Sequence, residues 1–491
     1  VTPWSALWAV AASAAEPFEV QAEARALETL PTDFAVDPEG GTVGWGPALD
    51  TRLRLGARFA GPDETWRAEL QGDVLSGQLA GATWALPSID ERGREANSAV
   101  SVSGLVPRKA TLGGRLPWFD LEAGLTTASW GLGMVANDGA TDPLFGRTDF
   151  GDRSLRVRMA TAPFRQAGAP DGRLPLYLLV VGDRVVADDL ARWSEGDRAY
   201  QGIVAALWVR DLAATDTRPG TRRAGVYGVV RDQVTGAGDH LRAQVLDAFT
   251  DWTWRPGRWY ARLGAEGATT WGTTDAARSY LSPEGVRVGQ SGLTVRTELG
   301  QDGWTLHLRG NYASGDATTD DDQVHDFRFD RDLDVGMVLF DEYVSALNLG
   351  AWRQATDPAR AGLPPDGVDL LVDEGAFHAA AAVQPALVVQ PATWLELRVG
   401  TVLAWSTSPV GFAYASFVNG GVPSNQLGVA SAGRFLGSEF DWAIATRDQA
   451  FPSWRVRPSL ELQVGHAWPG PSLQGGEGRI DHVLLAGRAR Y

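Results

Sequence analysis

From Trp454 to Trp468 the chain reads WRVRPSLELQVGHAW, and its two parities carry opposite chemistry. Even positions hold Trp454, Val456, Pro458, Leu460, Leu462, Val464, His466 and Trp468, whereas odd positions hold Arg455, Arg457, Ser459, Glu461, Gln463 and Gly465. Side chains of a strand alternate between its two faces, so one face is apolar with tryptophan at both ends and the other is charged. At roughly 3.3 Å rise per residue and a tilt near 40°, about fourteen residues cross the hydrocarbon layer with its interfaces. Pro458 removes one donor from the ladder. One such segment also suits a soluble sandwich, and repetition decides between the two.

The same alternation recurs near 17–27, 49–60, 64–78, 104–115, 118–130, 151–163, 175–187, 199–211, 223–235, 240–254, 258–271, 289–300, 303–315, 375–389, 393–406, 437–448, 454–467 and 480–491. Turn residues separate these segments. Tight turns at 61–63, 116–117, 255–257, 301–302, 390–392 and 449–453 alternate with longer connections near 79–103, 131–150, 272–288, 316–374, 407–436 and 468–479. That asymmetry predicts an all-β fold, a transmembrane antiparallel up-and-down barrel of about eighteen strands with short periplasmic turns and long extracellular loops. Tryptophan marks the same geometry. Trp66, Trp118, Trp259, Trp304, Trp394 and Trp454 follow tight turns, at the height of a periplasmic girdle, and Trp130, Trp271, Trp405 and Trp468 fall near an outer one. The chain ends IDHVLLAGRARY, an alternating strand closing on Tyr491, the kind of ending that barrel-assembly machinery reads.

Composition sharpens this picture. With 44% hydrophobic residues the chain has no apolar run long enough for a spanning helix. Its 58 glycines suit a large bending sheet and its 20 tryptophans suit membrane interfaces. A net charge of -16 argues against nucleic acid as a partner, and the absence of cysteine excludes disulfides and thiolate sites. Residues 1–15 resemble the back half of a secretory signal, which leaves 16–491 as a single outer-membrane barrel domain.

The inward parity is rich in arginine. Arg52, Arg54, Arg67, Arg156, Arg158, Arg242, Arg262, Arg296, Arg309, Arg398, Arg455 and Arg457 are the lumen and selectivity candidates, with Glu266, Glu298, Glu396 and Glu461 among the fewer carboxylates. Either they pair in ladders that hold register, or they line a pore whose field favours anionic or hydroxyl-rich solutes. The longest loop, 316–374, opens on clustered aspartates, of which Asp316, Asp320 and Asp322 form a weak calcium candidate; an acidic lip in solvent is the simpler expectation. Its apolar stretch Val335–Phe340 suits a segment folded into the lumen or over the mouth. The scattered histidines offer no metal pair, no Gly-x-Ser-x-Gly elbow appears, and the glycines of 131–139 lack a helix to cradle phosphate. No enzyme and no other cofactor is expected.

SWGLGMVANDG at 129–139 with DFGDRSLRVR at 149–158 resembles an uncharacterised, myxobacterial-type outer-membrane β-barrel family. The hairpin at 49–77, NYASGD at 311–316, FRFDRDLDVGMVLFDE at 327–342 and HAWPG at 466–470 carry the same resemblance. NYASGD and GSEFDW at 437–442 are also similar, more loosely, to alginate-export-type eighteen-stranded porins. The resemblance implies an outer-membrane barrel and brings no activity to particular residues. Three functions stay open: a porin-like channel for small hydrophilic solutes, an export porin for an acidic polysaccharide, and a plugged scaffold or adhesion barrel. Outer-membrane lipid is the expected surrounding in each case, and oligomeric state is not legible.

Overall fold

The computed structural model describes residues 18–31, 34–35, 42–43, 48–62, 65–81, 101–148, 151–166, 176–211, 220–255, 257–279, 281–318, 321–357, 359, 375–447, 456–473 and 478–491. The signal-like segment 1–15, Asp320, Trp454 and Arg455 lie outside the described residues.

Eighteen long strands build the wall, and each overlaps a segment expected from alternation. They are β1 (Phe18–Pro31), β2 (Ala48–Ala60), β3 (Arg67–Gly81), β4 (Val106–Arg115), β5 (Asp120–Thr127) and β6 (Arg153–Thr161). β7 (Leu176–Ala187), β8 (Arg198–Asp211), β9 (Thr221–Val234), β10 (His240–Trp254), β11 (Trp259–Thr274) and β12 (Val286–Gln301) follow. The circuit ends with β13 (Trp304–Ala313), β14 (Ala380–Ala392), β15 (Leu395–Ser406), β16 (Phe435–Thr446), β17 (Arg457–Pro469) and β18 (Ile480–Arg490). Sequential wall strands pair antiparallel, and β1 also pairs with β18 from Glu23↔Arg490 to Pro31↔His482, so the sheet closes. Closure satisfies every strand edge, which a wall in lipid requires. The turn expected at 390–392 stays in the ladder through Ala392, and the reversal falls on Thr393 and Trp394.

Burial alternates with parity along the wall. On β7, Tyr177, Leu179, Val181, Asp183 and Val185 are buried while Leu178 and Val180 are exposed. The exposed set faces lipid. The described parts of loops 128–152 and 314–379 then enter the barrel from its outer end. Within the second, a turn at Leu339–Val344 leads into α1 (Ser345–Thr356), against which α2 (Ala413–Val418) of a neighbouring loop packs. Phe34 of the first outer loop is buried edge-on against Tyr343, with ring centroids 5.0 Å apart.

Candidate permeation path and plug

The inward positions of β14 to β18 supply Ala380, Ala382, Ala386, Val402, Ala404, Ala443, Ala467 and Ala486, all buried. Small side chains there leave room for a second layer. Val335, Met337, Val338, Leu339, Phe340, Tyr343 and Leu347 of the inward loop fill it and join one hydrophobic cluster with the wall. This side of the lumen is dry.

Two wall carboxylates fix the inward loops. Glu439 of β16 accepts the backbone N–H groups of Met337 at 2.6 Å, Val338 at 3.0 Å and Leu339 at 2.7 Å. Gly336 makes the approach possible: its φ is +84°, and a Cβ there would stand 2.7 Å from the Glu439 oxygens. Glu266 of β11 does the same for the other loop, accepting from Leu132 and, at 3.3 Å, from Met134. A Cβ on Gly131, at φ +58°, would lie 2.5 Å from Glu266. A buried carboxyl that gathers several amides has its acceptor oxygens satisfied.

Loop 128–152 is tied to strands around much of the barrel. Trp130 Nε1 donates to Asp247 of β10 at 2.8 Å, and Gly146 N donates to Gln463 of β17 at 2.9 Å. Arg25 of β1 and Arg108 of β4 donate to the carbonyls of Thr148 at 3.1 Å and Asp138 at 2.9 Å. Arg398 of β15 donates to Leu144 O, and Arg488 of β18 pairs with Asp142. Wall arginines hold carbonyls and wall carboxylates hold amides. The loop thus spans the lumen instead of lying outside, as the sequence had suggested for 131–150.

The wall from β1 to β6, with the inner end of β18, is charged and the wetter side. Arg52 pairs with Glu23 at 2.8 Å, Arg54 grips Asp73 through two bonds of 2.6 and 3.0 Å, and Arg156 grips Asp183 at 2.7 and 2.6 Å. Arg67 meets Asp120 and Glu122, and Arg158 meets Glu122. Further round, Arg262 bridges Asp251 and Glu298, Arg296 stands 4.0 Å from Asp251, and Arg309 donates to Asp334 O. Glu396 and Glu461 both face Arg398, and Arg457 is exposed at the inner end of its strand. Pairing therefore absorbs much of the arginine excess that the sequence displays. Access to solvent returns toward the inner end, where Arg490 and Asp142 are 45% and 43% exposed and Glu69, paired with Lys109, is 38% exposed.

Two expected positions are corrected. Arg242 faces outward: it is 78% exposed and pairs with Asp232, because β10 buries the odd parity of Asp247, Phe249 and Asp251. Trp130 belongs to no girdle. β5 ends at Thr127, and Trp130 turns inward against Tyr227 and Phe249, only 7% exposed. Trp66, Trp118, Trp259, Trp394, Trp271, Trp405, Trp468 and Tyr491 are exposed on the outer surface, and Trp304 is half-buried, edge-on to Trp259 at 6.0 Å. Asp316 accepts the backbone N–H groups of Thr318 and His325, Asp322 pairs with Arg287, and among the described residues no group of three or more His, Asp or Glu is arranged to hold a metal ion. Composition concealed Glu439; its signal is a carboxylate on the inward parity of a strand whose neighbouring inward residues include Gly437, Ala443 and Ala445.

No family model and no curated protein matches the chain. Among solved structures it is similar to Acinetobacter baumannii OccAB1, at 10% identity over 97% of each chain with a TM-score of 0.55. It is similar also to Pseudomonas aeruginosa OccK11 (OpdR), at 11% identity over 96% of this chain and 95% of that one with a TM-score of 0.51. The fold is that of an outer-membrane porin. P. aeruginosa OccK5 (OpdH) agrees, at 8% identity over 97% and 98% of the two chains with a TM-score of 0.50. These porins share strand number and closure with this chain. Neither the myxobacterial-type nor the alginate-export-type resemblance is carried by them.

Proposed function

We propose that the protein is an outer-membrane channel through which small hydrophilic, preferentially anionic, solutes pass between loop 128–152 and the wall formed by β1 to β6 and β18. The observation that carries this is the inward charge of that wall, where arginine and Lys109 outnumber the carboxylates and Arg490 reaches solvent at the inner end. A charge-lined path with one dry side selects by sign and size. The C-terminal strand, ending on Tyr491 and bonded through it to Ala22, is the segment we assign to recognition by barrel-assembly machinery.

A second function, a closed barrel that opens only when its plug moves, is favoured by the attachment of loop 128–152 to so many strands. Single-channel conductance with reversal potential in a salt gradient tests both. A steady anion-selective current supports the open path. A cation-selective current removes it, and a silent barrel selects the closed one.

A further inference from the structure

Lumen charges are nearly all paired, and so are several arginines on the outer surface. Arg242 has Asp232 at 3.1 Å, Arg287 has Asp322 at 2.7 Å and Arg479 has Asp481 at 2.8 Å. Arg184 and Arg198 differ. Both lie on the outward parity, at the outer ends of β7 and β8, and neither forms an ion pair with any described carboxylate. Around them the surface is aromatic. The Arg184 guanidinium lies 3.8 Å above the ring of Trp193, which is exposed, and Arg184 is the direct cross-strand partner of the exposed Tyr200. Arg198 stands two residues from Tyr200 on the same face.

Below this patch the same face turns apolar, with Val180 and Leu178 on β7 and Val204 on β8 all exposed toward lipid. The guanidinium groups therefore sit where hydrocarbon gives way to headgroups, the level at which tryptophan and tyrosine settle. A guanidinium presents a planar fork of donors that matches a phosphate, and stacking on Trp193 holds the Arg184 fork in place. Two such forks outside ion-pair distance of any described carboxylate, with the neighbouring Asp232 already held by Arg242, create a local positive field at an interface. We propose that Arg184, Arg198, Trp193 and Tyr200 form a binding site for the phosphate-bearing headgroup of an outer-leaflet lipid, with its acyl chains lying along Val180 and Val204. A soluble anion would gain the charge contacts but not the apolar surface beneath them. The site is on the opposite face of the wall from the lumen and is independent of conduction.

The test is native mass spectrometry of the full chain in neutral detergent, titrated with bis-phosphorylated lipid A or with phosphatidylcholine. The parent should retain lipid A in preference to phosphatidylcholine. R184A/R198A should weaken lipid A binding by about tenfold or more, the scale expected for losing charge-assisted phosphate contacts. R287A, which removes an exposed arginine already paired with Asp322 away from this patch, should change it by less than roughly twofold. Where the alanine pair fails to assemble, R184Q/R198Q gives the same readout with the side-chain volume kept. Equal binding of the two lipids, an unchanged affinity in the double variant, or displacement of lipid A by millimolar inorganic phosphate would each overturn the proposal.

Discussion

Along the outer half of β14 to β16 the inward positions include Ala380, Ala382, Ala386, Val402, Ala404 and Ala443 around the anchoring Glu439, whereas along β2 to β6 they include Arg52, Arg54, Arg67, Asp120, Glu122, Arg156 and Arg158. Both walls belong to one closed sheet with the same alternation, so backbone geometry does not distinguish them. Their inward side chains do. The alanine wall is shallow and must be covered, and loop 314–379 covers it with an apolar layer. The arginine wall reaches into the lumen with its own side chains and needs no such cover. Charge plays a different part on each. On the dry wall Glu439 serves to anchor a loop, while on the wet wall pairs hold long side chains in register beside water.

Breaking the dry wall should have the largest effect. Leu339→Asp places an unpaired carboxylate at a fully buried position, a change that costs several kcal/mol unless the segment leaves the core. The loop is expected to undock, which appears as new tryptic cleavage after Arg331 and as a larger single-channel conductance. Glu439→Ala should act in the same direction and with comparable strength. It strips one acceptor from three amides, at about 1–3 kcal/mol for each donor left unsatisfied. Unchanged protease resistance in both variants would mean that the alanine wall does not depend on its cover.

Breaking the charged wall should change selectivity without opening the barrel. R52E/R54E sets new carboxylates against Glu23 and Asp73 and reverses the sign of that stretch of wall. The reversal potential is expected to move toward cation preference while heat-modifiable mobility in gels stays close to the parent. A shift in mobility with no shift in reversal potential would assign these pairs to scaffolding alone.

One buried group links the plug to pH. Glu342 lies in the inward loop, facing Arg147 of loop 128–152, Glu439 of β16 and His482 of β18 at 3.3 Å. Burial pushes its carboxyl up from 4.5 to about 7, with Arg147 opposing and Glu439 adding to the rise. The docked loop therefore binds the proton more tightly than the undocked loop does. Docking is strongest below pH 4.5, weakens as pH rises toward about 7 and is flat above it, a change of roughly 3 kcal/mol. Tryptic cleavage after Arg331, divided at each pH by trypsin's rate on a small peptide substrate, should rise with pH in the parent and lose that residual dependence in E342Q. A profile shared by both proteins would assign the titration elsewhere.

The wall was legible because a lipid-facing strand must alternate, and alternation is local: each wall strand overlaps a segment expected from the sequence alone. Most of the tryptophans expected at the girdles are exposed on the outward face for the same reason. What alternation does not encode is where a strand stops. β5 gives out at Thr127, and the next residues turn at Gly131 into the lumen, so Trp130 left the outer face with them. The fate of the charges was equally hidden. Arg54 and Asp73 meet across a ladder, but Arg25 and Thr148 are 123 positions apart, and only the closed barrel shows that the arginine holds a loop carbonyl. Inward charge was visible; its division between wall pairs and loop anchors was not.

Arg242 marks the limit of the comparison, because it belongs to neither wall. It sits near the outer end of β10, past the apolar band, where the outward parity already faces water and headgroups. Its pairing with Asp232 is 78% and 61% exposed on the two sides, and such a pair is worth little once solvent and salt screen it. Arg242→Ala should therefore leave conductance, reversal potential and protease resistance as they are in the parent. Measured beside R52E/R54E, it separates inward arginines from outward ones at equal chemistry. If removing Arg242 moved the reversal potential as far as the lumen pair does, selectivity would be set by the charge of the outer mouth and not by the wall within.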